Sequence, residues 1–201
     1  MDKLTLPTCI MLSGPSKSGK SHLARYLVRL LAPTRFDYVF VFTSVINDDY
    51  NFLPDEFIFP NLSEDAVKKI LNLQRQPGAG NCLVILDDVL SNRVLKSEVL
   101  KFFIRAYRHH KITLIITTQY IHTIDPIYRE QSEYVAIFRP ATARSFAALF
   151  ESFGGSFENA KAMRQYLLNN TGDRKFVWYD ARQGTFSVKK APPIKPFKLN
   201  F

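Results

Sequence analysis

The fold is decided by the stretch Gly14-Pro15-Ser16-Lys17-Ser18-Gly19-Lys20-Ser21, which stands between a short apolar run and a segment of helical periodicity. Glycine at both ends lets the backbone wrap round a phosphate with its N–H groups pointing inward, and the dipole of the following helix assists. In this pattern the lysine contacts the β- and γ-phosphates of ATP and the serine hydroxyl ligates Mg²⁺. We therefore predict that residues 14–22, ending at His22, bind ATP, with Lys20 catalytic and Ser21 a Mg²⁺ ligand.

A second apolar run, Cys82–Asp87, ends in two adjacent carboxylates, Asp87 and Asp88. In nucleoside triphosphatases of this class, an acid at a strand end beside the phosphate loop holds the Mg²⁺ ion. We predict this role for Asp87 and expect Asp88 to polarise the attacking water. The alternative is a strand followed by an ordinary turn, because aspartate pairs are common in turns.

A third run, Ile112–Thr117, is followed by Thr118 and Gln119. A glutamine at the carboxyl edge of a strand beside the acidic one can contact the γ-phosphate or the water. We expect Gln119 to sense hydrolysis in this way. In the alternative interpretation the two threonines only cap the turn.

Around these three stretches, apolar runs of strand length alternate with segments of helical period, which predicts an α/β fold with a mainly parallel central sheet flanked by helices. The predicted strands are Thr8–Ser13, Tyr38–Thr43, Cys82–Asp87, Ile112–Thr117 and Tyr134–Phe138. The predicted helices are Ser21–Leu31, Ser63–Gln76, Leu95–Arg108, Ala141–Phe153 and Phe157–Asn169, the second of them capped by Ser63.

The C-terminal part predicts a small hairpin, Lys175–Tyr179 and Gly184–Val188, followed by a tail. Residues 189–201 contain lysine and proline but no acid, which is typical of an extended arm without its own core. We therefore divide the chain into an ATPase domain, residues 1–188, and a basic, proline-rich arm, residues 189–201.

Composition narrows the class of partner. Lys and Arg number 27 against 18 Asp and Glu, and the net charge of +9 favours a polyanionic partner. Neither a membrane-length apolar stretch nor a secretory signal is visible, so we expect the protein to stay inside the cell. Cys9 and Cys82 lie within predicted strands, which favours reduced core thiols over a disulfide or a metal pair.

The order of these elements, with Tyr107-Arg108-His109 directly before the third run, resembles the FtsK/HerA superfamily, and within it the poxvirus-type genome-packaging ATPases of large DNA viruses. The resemblance runs from about Leu6 to Phe150. It implies a RecA-like P-loop fold and a homo-oligomeric ring that uses ATP to push double-stranded DNA into a capsid. It also implies a capsid or portal-vertex component as a docking partner, and a place in the host-cell cytoplasm or viral factory.

Arginines supplied by a neighbouring subunit complete the sites of such rings. By resemblance, Arg108 is the first candidate for this role, and Arg129, within Pro126-Ile127-Tyr128-Arg129, is the second. Each has an alternative as a solvated surface charge. Two positions depart from the family pattern: Asp88 stands where glutamate is usual, and Tyr107 where glycine is usual.

A packaging motor passes any sequence, so its DNA contacts should be made to the backbone. One candidate surface is the basic segment Arg93, Lys96, Lys101, Arg105, Arg108 and Lys111, and another is formed by the arm lysines Lys189, Lys190, Lys195 and Lys198. The arm has the alternatives of packing on an adjacent subunit or tethering the motor to the portal vertex.

Two other functions fit parts of the pattern. A nucleoside or nucleotide kinase shares the phosphate loop, but it would need an arginine-rich lid and lacks the glutamine sensor. An ATP-binding interaction module with little turnover is suggested by Asp88 in place of glutamate.

Overall fold

A computed structural model describes residues 4–45, 48–89 and 97–199 of the chain. Its strands are β1 (Cys9–Ser13), β2 (Tyr38–Thr43), β3 (Ile58–Phe59), β4 (Cys82–Asp87), β5 (Ile112–Thr118), β6 (Tyr134–Ile137), β7 (Lys175–Asp180) and β8 (Thr185–Lys190). Its helices are α1 (Lys20–Arg35), α2 (Glu64–Gln74), α3 (Glu98–Ala106), α4 (Pro126–Glu130), α5 (Ala143–Phe153) and α6 (Ala160–Asn170). Short 3₁₀ turns cover Asp48–Tyr50, Asp55–Phe57, Ile121–Thr123 and Gly154–Ser156.

The strands form one sheet in the order β3-β2-β4-β5-β1-β6-β7-β8. The first six strands in this order, from β3 through β2, β4, β5 and β1 to β6, are all parallel. Strand β7 pairs antiparallel with β6, and β8 pairs antiparallel with β7. The predicted α/β class with a mainly parallel sheet is therefore confirmed. The hairpin β7–β8 is not a separate element, because it extends the main sheet beyond β6.

Alternating side chains divide the core between the two faces of the sheet. In β1, Ile10 and Leu12 pack with the apolar side of α1, including Leu23 and Leu27. The intervening residues, Cys9 among them, pack on the other face with α2, α3, α5 and α6. Both faces of the parallel strands are covered, which explains why these strands are apolar along their whole length.

Side-chain caps set the beginnings of five of the described helices, and Asp125 caps α4 by accepting from the Ile127 N–H. Ser63, Ser97, Thr142 and Asn159 each accept a hydrogen bond from the backbone N–H three residues later. The cap predicted at Ser63 is confirmed. Leu95, the predicted start of the third helix, lies outside the described residues, and α3 begins at Glu98 behind its cap.

The segment after β8 lies along the domain. Strand β8 runs through Lys190, so Lys189 and Lys190, which composition assigned to the arm, pair with β7. Further on, Phe197 stacks on Phe52 at 4.7 Å, and the backbone N–H of Leu199 donates to the Phe52 carbonyl at 2.9 Å. The described part of the arm therefore packs on the same chain.

The two cysteines are core thiols, as predicted. Cys9 and Cys82 are free and buried, and burial raises the pKa of the Cys9 thiol to about 12. Among the described helices, none is both long enough and apolar enough to cross a bilayer.

Candidate active site

Three strand ends meet at the carboxyl edge of the sheet. β5 lies between β1, which leads into the glycine loop, and β4, which ends in the acids. This order brings the loop, Asp87 and Gln119 round one pocket of about 440 Å³, hereafter the phosphate pocket, lined also by Lys20, Ser21, His22 and Asp88. The sequence-predicted phosphate, metal and sensor residues therefore share one site.

The loop has the backbone that a phosphate cradle requires. Gly19 has φ +104° and Lys17 has φ +59°, both in the left-handed region. A Cβ at Gly14 would lie 2.6 Å from the Cβ of Phe138, so only glycine fits beside that side chain. These constraints explain why glycine stands at both ends of the motif.

Lys20 is held inside the loop. Its residue is 7 % exposed, and its ammonium donates to the carbonyls of Gly14 at 2.7 Å and Pro15 at 2.9 Å. Burial lowers the pKa of Lys20, and the nearby carboxylates of Asp88 and Asp87 oppose this shift. The ammonium therefore binds to its own loop, at the wall of the phosphate pocket and within range of the charges of the two acids.

The two acids are oriented by residues at the end of β5. The hydroxyl of Thr117 donates to Asp87 and accepts from the backbone N–H of Asp88 at 3.1 Å. The side-chain amide of Gln119 donates to Asp88, whose backbone is left-handed with φ +55°. Gln119 thus connects the sensor strand to the residue expected to polarise water.

Ser21 and Asp87 fit a Mg²⁺ site by their chemistry. A hydroxyl and a carboxylate are the hard oxygen ligands that Mg²⁺ prefers, and Mg²⁺ commonly binds through few protein ligands together with substrate phosphates. Both residues line the phosphate pocket.

Sequence reasoning missed two residues of this site, Tyr50 and Asp49, which follow β2. Tyr50, which is 1 % exposed, lies close enough for the Asp87 charge to act on it, and burial together with that charge raises its pKa well above the ordinary value. Asp49 lines the phosphate pocket and pairs with Arg25 of α1 at 3.5 Å. The signal was the Asn/Asp-rich loop after β2, but nothing in its spacing indicated that it folds back to the acidic strand.

His22 lies in the first turn of α1, directly after the glycine loop. Its Nε2 lies 2.8 Å from the carbonyl of Pro192 and donates to it, since a carbonyl can only accept. The predicted binding residue therefore links α1 to the C-terminal arm.

Arg108 lies at the opposite edge of the sheet from its own phosphate pocket. It precedes β5, whose seven residues separate the two edges by about 20 Å. Its guanidinium pairs with Glu133 and donates to the Tyr107 hydroxyl at 3.0 Å. Tyr107, fully buried, and Thr8 both donate to Glu133 as well. The tyrosine at this position thus supports an ion pair and does not contact the nucleotide loop.

Arg129 is also at the amino edge of the sheet, and it is buried. It is 8 % exposed, and its Nη1 donates to the hydroxyl of Ser152 at 2.7 Å and to the carbonyl of Ala148 at 3.4 Å. Its contacts join α4 to α5. The structure brings neither candidate arginine to the phosphate pocket of its own chain.

The predicted DNA-binding surfaces are partly described. Arg93 and Lys96 lie outside the described residues. Lys101 pairs with Glu98, Lys111 donates to the Ala79 carbonyl, and Arg105 is exposed on α3. In the arm, Lys198 donates to the carbonyl of Asn51 at 2.8 Å, which fixes it against the loop that carries Asp49.

A comparison with known protein families identifies the relationship. The profile of the family described as Poxvirus A32 protein matches residues 3–139. The chain belongs to this family. The matched range holds the glycine loop, Asp87, Asp88 and Gln119, whereas α5, α6 and the β7–β8 hairpin lie beyond it.

Two similar proteins come from viruses. The chain is 25 % identical over 184 residues to uncharacterized protein 075L of Invertebrate iridescent virus 6, covering 85 % of this chain and 69 % of that protein. It is 23 % identical over 199 residues to uncharacterized protein L437 of Acanthamoeba polyphaga mimivirus, covering 91 % and 70 %.

A solved structure has the same fold. The genome packaging NTPase B204 of Sulfolobus turreted icosahedral virus 2, in complex with ATP-gammaS, superposes with a TM-score of 0.76 at 17 % identity. The match covers 94 % of this chain and 100 % of B204. This likeness bears on the fold, and it confirms the predicted P-loop NTPase architecture.

Proposed function

We propose that this chain is an ATP-hydrolysing motor that translocates double-stranded DNA into a viral capsid. The observation that carries the proposal is the position of β5 between β1 and β4, which gathers the glycine loop, the acids and Gln119 round one pocket. Membership of the A32 family and the shared fold with a genome packaging NTPase support it.

The residues divide the chemistry among them. The loop amides and Lys20 bind the β- and γ-phosphates and stabilise the negative charge that develops on them. Asp88 orients and polarises the attacking water, while Gln119, bonded to Asp88, responds to the γ-phosphate. Ser21 and Asp87 would hold Mg²⁺, which when bound neutralises phosphate charge.

Thr117 tests the metal part of this proposal. We expect Thr117→Val to raise the Mg²⁺ concentration needed for half-maximal activity by about 10-fold or more, because the hydroxyl that orients Asp87 is removed. Thr117→Ser keeps the hydroxyl and should need the same Mg²⁺ concentration for half-maximal activity as the wild type. Thr118→Val is the matched control, since its hydroxyl accepts from the Tyr120 N–H. An unchanged Mg²⁺ titration in Thr117→Val would contradict this role.

The motor is proposed to work as a homo-oligomeric ring in the host-cell cytoplasm or viral factory, docked on a capsid or portal-vertex component. Arg108 is the better candidate for an arginine supplied to the neighbouring site. Its side chain is 56 % exposed and held by Glu133, whereas that of Arg129 is buried at a helix contact.

Subunit mixing separates this role from a structural one. Arg108→Ala and Lys20→Ala proteins are each expected to be inactive, the first by about 10³-fold or more if a trans arginine is lost. In a mixture, sites that combine an intact Lys20 with an intact neighbouring Arg108 should regain ATPase activity. If the mixture stays as inactive as its components, Arg108 does not act in trans.

Stimulation of ATPase activity by duplex DNA tests the proposed translocation of DNA. We expect duplexes of unrelated sequence to stimulate turnover equally at low salt, and added salt to suppress the stimulation because backbone contacts release counterions. A chain whose turnover ignores duplex DNA at low salt, and which never assembles with nucleotide, is not a packaging motor.

A further inference from the structure

A second cavity adjoins the phosphate pocket. It measures about 810 Å³ and is formed by residues 138–141, the turn 172–175 and Ala191, together with the glycine loop. We call it the C-terminal cavity. Its volume is within the range of about 300–1,000 Å³ that small-molecule sites occupy. Most of its outer wall lies beyond residues 3–139, the range matched by the family.

The geometry fixes which end of a nucleotide would enter this cavity. Asp87, Asp88 and Gln119 line the phosphate pocket but not the C-terminal cavity, so the γ-phosphate belongs on their side. The two cavities share Ser16, which also lines the third cavity described below, and they share Lys17, Gly19 and His22, which that cavity does not reach. These last three residues lie at the other end of the loop. A third cavity, of about 280 Å³, touches both Gly14 and Gln119 and therefore lies at the γ-phosphate end. The C-terminal cavity is the one continuous with the α-phosphate end.

The turn that forms the outer wall is a tight hairpin turn. Gly172, Asp173 and Arg174 have φ of +120°, +49° and +63°, so three successive residues are left-handed. Left-handed backbone at both Asp173 and Arg174 is the conformation of a type I′ hairpin turn, which fixes where these two side chains leave the chain. Here the turn is closed by Gly172 and Lys175, which exchange backbone hydrogen bonds, and the N–H of Ala191 donates to the Arg174 carbonyl.

Two arginines border the cavity. Arg139 and Arg174 are both exposed, and a guanidinium nitrogen of Arg139 lies 3.7 Å from where a Cβ on Gly172 would be. Planar guanidinium groups stack on nucleobases, and a carboxylate such as that of Asp173 accepts hydrogen bonds from ribose hydroxyls. Phe138 and Pro140 add apolar lining.

We propose that the C-terminal cavity binds the nucleoside of ATP, with Arg139 and Arg174 contacting the base and Asp173 the ribose. This assignment rests on the proposed ATPase function and adds the part of the chain that recognises the base. The arm contributes to the wall of the cavity, because Ala191 lines it and the Pro192 carbonyl is bound by His22.

Calorimetric titration of the full chain with Mg²⁺ tests this proposal, using a non-hydrolysable ATP analogue and inorganic tripolyphosphate as separate ligands. The wild type should bind the analogue more tightly than tripolyphosphate. In the double variant Arg139→Ala/Arg174→Ala, affinity for the analogue should fall by about 10-fold or more, while affinity for tripolyphosphate stays unchanged. The double variant Arg139→Lys/Arg174→Lys should lose affinity for the analogue in the same way as the alanine variant, because lysine keeps the charge but lacks the planar group.

Each other outcome has a defined meaning. Parallel loss for both ligands in the alanine variant, with recovery in the lysine variant, would show that the arginines act on phosphate by charge and would overturn the proposal. No change for either ligand would also overturn it. A wild type that binds neither ligand would instead refute the ATPase function itself. Arg164→Ala, on the surface of α6 where its guanidinium lies over the Phe146 ring, is the matched control.

Discussion

Lys20→Ala is expected to abolish ATP hydrolysis, lowering kcat by at least about 10²–10³-fold. Lys20 is buried in the wall of the phosphate pocket, and its ammonium donates to two loop carbonyls. The alanine variant lacks the positive charge that is expected to act on the β- and γ-phosphates. It also lacks the hydrogen bonds by which the side chain closes the loop on itself. Steady-state phosphate release from the purified variant measures the effect.

Lys69→Ala serves as the matched control for this variant. Lys69 is exposed on α2, which packs on the face of the sheet opposite α1. The control should keep wild-type turnover and the same thermal unfolding midpoint. Turnover in Lys20→Ala equal to that of the control would refute the assignment of the site.

Asp88→Asn is expected to separate binding from hydrolysis. Asparagine tolerates the left-handed backbone at this position, and its side-chain oxygen can still accept from Gln119. Only the negative charge is lost, so nucleotide affinity should persist while turnover falls by about 10²–10⁴-fold. Phosphate release and calorimetric binding, measured on the same preparation, give the two quantities.

This variant also decides between a motor and a non-hydrolysing module. If wild-type turnover is measurable and falls in Asp88→Asn, aspartate is competent where the family usually has glutamate. Negligible turnover in the wild type would favour the module. Asp55→Asn, an exposed aspartate in a 3₁₀ turn, is the control for loss of one negative charge.

Local patterns predicted most of the parallel sheet because its strands are apolar on both faces and end in polar residues. The bounds of β2 and β4 match the predicted ranges, and β1, β5 and β6 differ from theirs by single residues. Because the carboxyl ends of parallel strands meet at one edge, the loop, Asp87 and Gln119 were expected near one another. These inferences needed only periodicity and strand direction.

Contacts between distant segments could not be predicted in the same way. Nothing in the local sequence indicates that β7 pairs with β6, that Tyr50 lies against Asp87, or that Phe197 reaches Phe52. The surroundings of Arg108 depend likewise on Glu133, a buried acid in a loop that periodicity does not distinguish. Long-range packing decides each of these, and it leaves no mark on spacing along the chain.

The two borders of the sheet limit how copies can join. At one border β3 has only two residues, and at the other β8 ends in Lys189 and Lys190. Short strands and lysine-bearing strands discourage the addition of a further strand from another molecule. Subunits of the proposed ring should therefore contact each other through side chains and loops. Each subunit could then rotate relative to the next without breaking backbone hydrogen bonds between strands.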